Sequence, residues 1–132
     1  MDGSKDRVLD ETESIAVVGF SRRPNRAGYY VPAYLQSQGY QIIPVNPYLE
    51  QGLGETAYPD LASIPFAVDL VLIFQRSKNV PPFVDQAIDI GASAVWMQSG
   101  IANEAAASKA REAGLDIVQN ACMMVEHRMR AS

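Results

Sequence analysis

Residues 15–18, Ile-Ala-Val-Val, are apolar at every position and stop at Gly19. A strand with both faces apolar needs cover on both sides, which is the condition of a central strand in a parallel sheet packed between helices. Four more short runs follow, at 41–45, 69–74, 93–97 and 115–118, with helical stretches between most of them. Residues 29–37 read as the first of these helices, with Pro32 in or near its first turn and Gly39 ending it. Residues 78–90 carry Val80, Phe83, Val84, Ala87 and Ile88 at helical spacing behind Pro81 and Pro82, and Gly91 closes them. Asn103 is the expected N-cap of an alanine-rich helix through Ala113, with Glu104 in its first turn and Lys109 and Arg111 in its last. Cys122 to Arg130 can form a final amphipathic helix.

Strands alternating with helices predict the α/β class: one Rossmann-like, doubly wound parallel sheet of five strands with helices on both faces. Pro44 removes a ladder donor from the second strand, so that position is expected at an edge, a bulge or the strand's end. Residues 48–65, broken by Gly52, Gly54, Pro59 and Pro65, predict loop and short turns along the sheet edge. The chain of 132 residues, 48% hydrophobic, suits one domain over 15–132 preceded by an arm or short helix at 1–14. Those first residues lack the apolar centre of a signal peptide.

Net charge is −4, so general attraction to nucleic acid or an anionic membrane is not expected. The placement of the cations says more. No Lys or Arg lies between Ala27 and Gln75 or between Asn79 and Ser108, whereas Arg22, Arg23, Arg26, Arg76 and Lys78 fall in two short loops that each follow a strand. Ligands of open α/β sheets bind outside the carboxyl ends of the strands. A glycine turn, a helix N-terminus and guanidinium groups at that edge favour a small ligand carrying phosphates. Arg26 can instead cap or pair on the surface, and Arg76 and Lys78 can offset Asp85 or Asp89 along their helix.

A nicotinamide dinucleotide fold would carry G-x-G-x-x-G after the first strand and an acid after the second. Here Gly19 and Gly28 bracket the loop, and the second strand ends in Val45, Asn46 and Pro47 with no carboxylate before Glu50. The only cysteine, Cys122, excludes an internal disulfide, and no apolar segment reaches the roughly 18 residues of a membrane span, so a reducing cytoplasm is expected. The sole histidine, His127, reads as a surface or packing residue, and Trp96 as core. No paired carboxylates, triad or zinc set stands out, so an enzyme would have to borrow its chemistry from a ligand or partner.

The blocks VVGFSRRPNRAGY (17–29), IIPVNP (42–47), GLGETAYPDLASIP (52–65), DLVLIFQRS (69–77), WMQSGIANEAA (96–106) and NACMMVEHRMR (120–130) occur in the order and spacing of a known family. The chain resembles the CoA-binding domain family, the stand-alone bacterial proteins similar to the nucleotide-binding domain of the succinyl-CoA synthetase α subunit. The resemblance implies a Rossmann-like domain that binds coenzyme A or an acyl-CoA. It implies ligand contacts from Gly19, Phe20, Ser21, Arg22, Arg23 and Arg26, from Asn46 and Pro47, from Phe74, Arg76 and Ser77, and from Gln98, Ser99 and Gly100.

The chain departs from the synthetases where they carry a lysine after the second strand, because Tyr48 and Leu49 stand there. The synthetases' phosphohistidine belongs to a second domain, so this chain is not expected to ligate CoA unaided. The expected partner is a small nucleotide ligand bound by a monomer or weak homo-oligomer. The alternatives are an accessory subunit of an acyl-CoA ligase or an NAD(P)-dependent oxidoreductase.

Overall fold

Two interleaved sets of strand residues divide the core. Successive side chains of a strand point to opposite faces, and Ala16, Val18, Ile43, Val45, Val71, Ile73, Val95 and Met97 gather on one side of the sheet, with Ile15, Val17, Ile42, Leu70, Leu72, Ala94 and Trp96 on the other. The computed structural model describes residues 4–131. Its main sheet contains β1 (Ser14–Val18), β2 (Gln41–Val45), β5 (Leu70–Ile73), β6 (Ala94–Met97) and β7 (Asp116–Val118). All four pairings are parallel, in the order β2-β1-β5-β6-β7.

Helices cover both faces, as double winding requires. Val80, Val84 and Ala87 of α3 (Val80–Asp89) and Ala106, Ala107 and Ala110 of α4 (Glu104–Glu112) bury one face. Val8 and Leu9 of α1 (Ser4–Glu11), Val31 and Leu35 of α2 (Ala27–Ser37) and Met123 of α5 (Met123–Ala131) bury the other. The predicted arm is thus helical from Ser4 and sends two side chains into the core, while residues 1–3 lie outside the described residues. Ion pairs fasten α1 at its surface: Arg7 to Asp116, Lys5 to Glu126, and Arg130 to Asp6 and Asp10.

Pro44 sits in β2, an edge strand of the main sheet, and its carbonyl accepts a hydrogen bond from Tyr58 N at 3.0 Å. The stretch after β2 is more ordered than loop and turns alone: β3 (Gln51–Gly52) and β4 (Glu55–Thr56) form an antiparallel ribbon, and a 3₁₀ turn follows at Leu61–Ser63. The N-cap reading of Asn103 matches the structure, where its Oδ1 accepts from Ala106 N at 3.0 Å.

Candidate functional site

The direction of winding reverses between β1 and β5. From β1 the chain crosses through α2 to β2 on one side; from β2 it returns past β1 to β5 and continues outward through β6 and β7. Such a switch point leaves a crevice beyond the strand ends, where the loops to either side part. Gly19 stands at its centre. Its φ is +84°, and a Cβ there would lie 2.8 Å from the carbonyl oxygen of Phe74, the residue after β5. Gly28 closes the same loop: a Cβ there would meet the oxygen of Gly19 at 2.9 Å, and its carbonyl accepts from Ser21 N at 3.1 Å. The two glycines hold the loop after β1 tightly against the start of α2 and the end of β5.

Two cavities flank Gly19. One, of about 350 Å³, lies at the start of α2 and is lined by Gly19, Ser21, Arg26, Ala27, Gly28 and Phe74. The other, of about 270 Å³, opens on the α3 side between the ends of β1, β2 and β5, and takes its walls from Val18, Val45, Asn46, Pro47, Tyr48, Pro59, Asp60, Gln75, Phe83 and Gln86. A larger cavity of about 480 Å³ lies at the opposite end of β2, beside Leu9, Gly39, Tyr40, Gln41 and His127. It contains none of the residues singled out for binding. His127 there is held by packing: its Nδ1 is 2.7 Å from the Tyr34 hydroxyl, and its ring meets Tyr34 and Tyr40 edge-on.

The expected site residues divide by what their side chains do. Gly19, Ser21, Arg26 and Phe74 line the first cavity, and Asn46 and Pro47 the second. The Ser21 Oγ accepts from Arg23 N at 3.1 Å, which shapes the loop. Asn46 is committed inward: its Nδ2 donates to the carbonyl of Phe20 at 2.8 Å, and its Oδ1 accepts from Tyr48 N at 2.8 Å. Phe20 turns its ring into the core, 1% exposed, against Tyr29 and the backbone of Gly52, so it faces the crevice only through its main chain.

Gln98 is likewise buried, and its Oε1 accepts from Met123 N at the start of α5. Ser77 Oγ accepts from Ala102 N at 3.0 Å, and Ser77 O from Asn103 Nδ2, so this residue ties the loop after β5 to the start of α4. Ser99 and Gly100 are exposed; Gly100 has φ +83° and donates its N–H to Asn120 Oδ1 at 2.7 Å.

The cations are the most telling group. Among the described residues, Lys5, Arg7, Lys109, Arg111 and Arg130 form ion pairs. Arg22, Arg23, Arg26, Arg76 and Lys78 are exposed and form none. The sequence-based pairing of Arg76 or Lys78 with Asp85 is therefore corrected: Asp85 pairs with Lys109 of α4, because the two helices lie side by side on one face of the sheet. Six cations are left without an ion pair among the described residues: Arg128 lies on α5, and the other five flank the switch point. Exposed ion pairs contribute little to stability, so folding leaves these charges available to an anion.

Phe83, Gln86, Pro59 and Asp60 line the second cavity without a signal in the sequence. Phe83 reads as an ordinary core position of an amphipathic helix, and only the seating of α3 on the sheet turns it toward the crevice. Among the described residues, no group of three or more His, Cys, Asp or Glu side chains could hold a metal, and no helix is long and apolar enough to cross a membrane.

Comparison with known proteins meets this geometry from the other direction. The uncharacterized protein YneT of Bacillus subtilis is 36% identical over 120 residues, covering 91% of this chain and 89% of its own length. ADP-forming acetate–CoA ligase II of Archaeoglobus fulgidus is 33% identical over 101 residues, 74% of this chain, but the match spans only 15% of the ligase. The solved structure of a hypothetical protein from Pyrococcus horikoshii superposes with a TM-score of 0.94 at 40% identity, covering 100% of this chain and 93% of that one. A CoA binding domain model matches residues 13–128, which takes in every strand of the main sheet and both cavities at the switch point. The chain belongs to the CoA binding domain family.

Proposed function

We propose that this protein binds coenzyme A or an acyl-CoA across the carboxyl ends of β1, β2 and β5, and carries out no chemistry on it unaided. The observation that carries the reading is that five of the six exposed cations without carboxylate partners among the described residues lie in the two loops that meet at Gly19 and Phe74. Arg22, Arg23 and Arg26 with the N-terminus of α2 take the pyrophosphate, since guanidinium forks and free backbone N–H groups both match phosphate oxygens. Arg76 and Lys78 approach from the β5 side. Cys122, a free thiol, fits the reducing cytoplasm in which such a protein would work.

Two measurements test the reading. Mass spectrometry of the small molecule released from protein purified without added ligand is expected to find a pantetheine nucleotide. Calorimetry is expected to give saturable binding of CoA and much weaker binding of NAD, since no acid stands directly after β2 to hold the ribose hydroxyls. Absence of any heat with CoA would end the proposal.

The identity shared with ADP-forming acetate–CoA ligases supports a second reading, in which the chain serves as the CoA-holding part of such a ligase together with another subunit. Copurification with a nucleotide-hydrolysing partner is the outcome that reading requires. A monodisperse, CoA-saturated protein without a partner would count against it.

A further inference from the structure

The two sides of the crevice differ in charge as well as in shape. Five of the six cations without an ion pair among the described residues follow β1 or β5, Arg128 on α5 being the sixth, whereas residues 27–75, which include β2 and the β3–β4 ribbon, contain no Lys or Arg. The cavity at the end of β2 has one charged side chain in its wall, and that is a carboxylate, Asp60. Glu50 and Glu55 add further negative charge beside it in sequence. At about 270 Å³ it falls just under the usual range of ligand pockets, about 300 to 1,000 Å³. It is therefore sized for one ring system and not for a whole dinucleotide.

In doubly wound sheets the pyrophosphate lies at the first helix and the nucleoside ribose reaches the end of the second strand; whether that ribose is accepted with a phosphate depends on a cation there. Here β2 ends at Val45, the Asn46 amide is committed inward, and Tyr48 is the side chain left at the rim. Its N–H is held by Asn46 Oδ1 at 2.8 Å, while its side chain projects from the rim and the residue is 90% exposed. A fixed backbone with a free aromatic ring suits contact with the flat face of a base. It supplies no charge to a phosphate monoester, which carries about −1.5 to −2 at neutral pH.

We propose that Tyr48 sets the nucleotide specificity of this site, so that the ligand's ribose phosphate is left unread and dephospho-CoA binds as tightly as CoA. The inference rests on the pantetheine-nucleotide reading above. It narrows the ligand class to adenine nucleotides held by base and pyrophosphate, with the ribose hydroxyls free of any charge requirement.

Calorimetric titration of CoA and dephospho-CoA into the wild-type chain and into Tyr48→Lys tests it. Wild-type affinities for the two nucleotides are expected to agree within about threefold. Tyr48→Lys, a change at an exposed side chain, is expected to open a preference for CoA of about tenfold or more, the lower end of what a charge-assisted hydrogen bond contributes. A tenfold preference for CoA in the wild type would overturn the inference, and so would an unchanged ratio in the lysine variant. Failure of both nucleotides to bind the wild type would instead remove the functional reading underneath, and this inference with it.

Discussion

Asn46 and Phe20, 26 positions apart, are joined by a 2.8 Å hydrogen bond from the Asn46 side-chain amide to the Phe20 carbonyl. That bond ties the end of β2 to the loop after β1, and the other side-chain atom of Asn46 secures Tyr48. The rim of the crevice is thus set by one amide with both ends engaged. Asn46→Ala is expected to cost about 1–2 kcal/mol, two hydrogen bonds of ordinary net worth. Urea unfolding of the two proteins measures it, and an unchanged midpoint would mean that the rim holds its shape without this residue.

Gly19→Ala is expected to be more severe. The position combines φ +84° with a backbone oxygen 2.8 Å from where the new Cβ would stand. Neither the carbonyl of Phe74 nor the backbone of β5 behind it can withdraw cheaply, so a loss of about 2–3 kcal/mol follows from strain and overlap together. Thermal unfolding reads the stability. Nucleotide titration of whatever fraction folds should show weakened binding, because the loop must move away from Phe74 to admit the methyl group.

The arginine pair is expected to behave in the opposite way. Arg22 and Arg23 make no ion pair and are exposed, so Arg22→Ala with Arg23→Ala should leave the unfolding midpoint close to wild type. CoA affinity should fall by about 10- to 100-fold, within the range of lost charge-assisted hydrogen bonds. It should also lose much of its dependence on salt. An unaltered affinity would show that these side chains do not reach the ligand.

The phenol of Tyr40 gives a prediction in pH. Burial pushes its pKa above the ordinary tyrosine value; Arg130 opposes the shift, and Asp10 and Tyr34 reinforce it. A folded-state pKa above the unfolded one means that the unfolded chain releases the proton more readily. The contribution is therefore fully present below the unfolded value and is lost as pH rises through the folded one. Stability should decline above about pH 10. The Tyr40 hydroxyl donates to Leu9 O at 2.7 Å, so Tyr40→Phe should start lower at neutral pH and fall less steeply in alkali. Denaturant midpoints at pH 8 to 11 provide the comparison.

The strands were legible because burial on both faces leaves a sequence mark that few other structures leave: uninterrupted apolar runs at 15–18 and 70–73, each stopping at the crevice edge. Pro44 pointed to an edge, a bulge or a strand's end through the N–H it lacks, and β2 is an edge strand; Asn103 announced a helix start through an oxygen that can reach Ala106 N. The β3–β4 ribbon was not legible, since two-residue strands have no periodicity and exist only where their neighbours hold them. The family resemblance implied ligand contacts from Gln98 and Phe20, and packing turns both side chains inward, which no local feature of the sequence records.

What the sequence determined by itself is the alternation of strand and helix, and with it the edge where the cations had to gather. Those are local properties of burial period and of where a glycine breaks a run. Which cations would stay unpaired, that Asp85 would take Lys109, and that Phe83 and Tyr48 would frame a cavity without a cation beside a basic loop were decided only by tertiary structure. Each depends on how helices seat on a twisted sheet, and that brings together side chains whose spacing along the chain holds no record of the meeting.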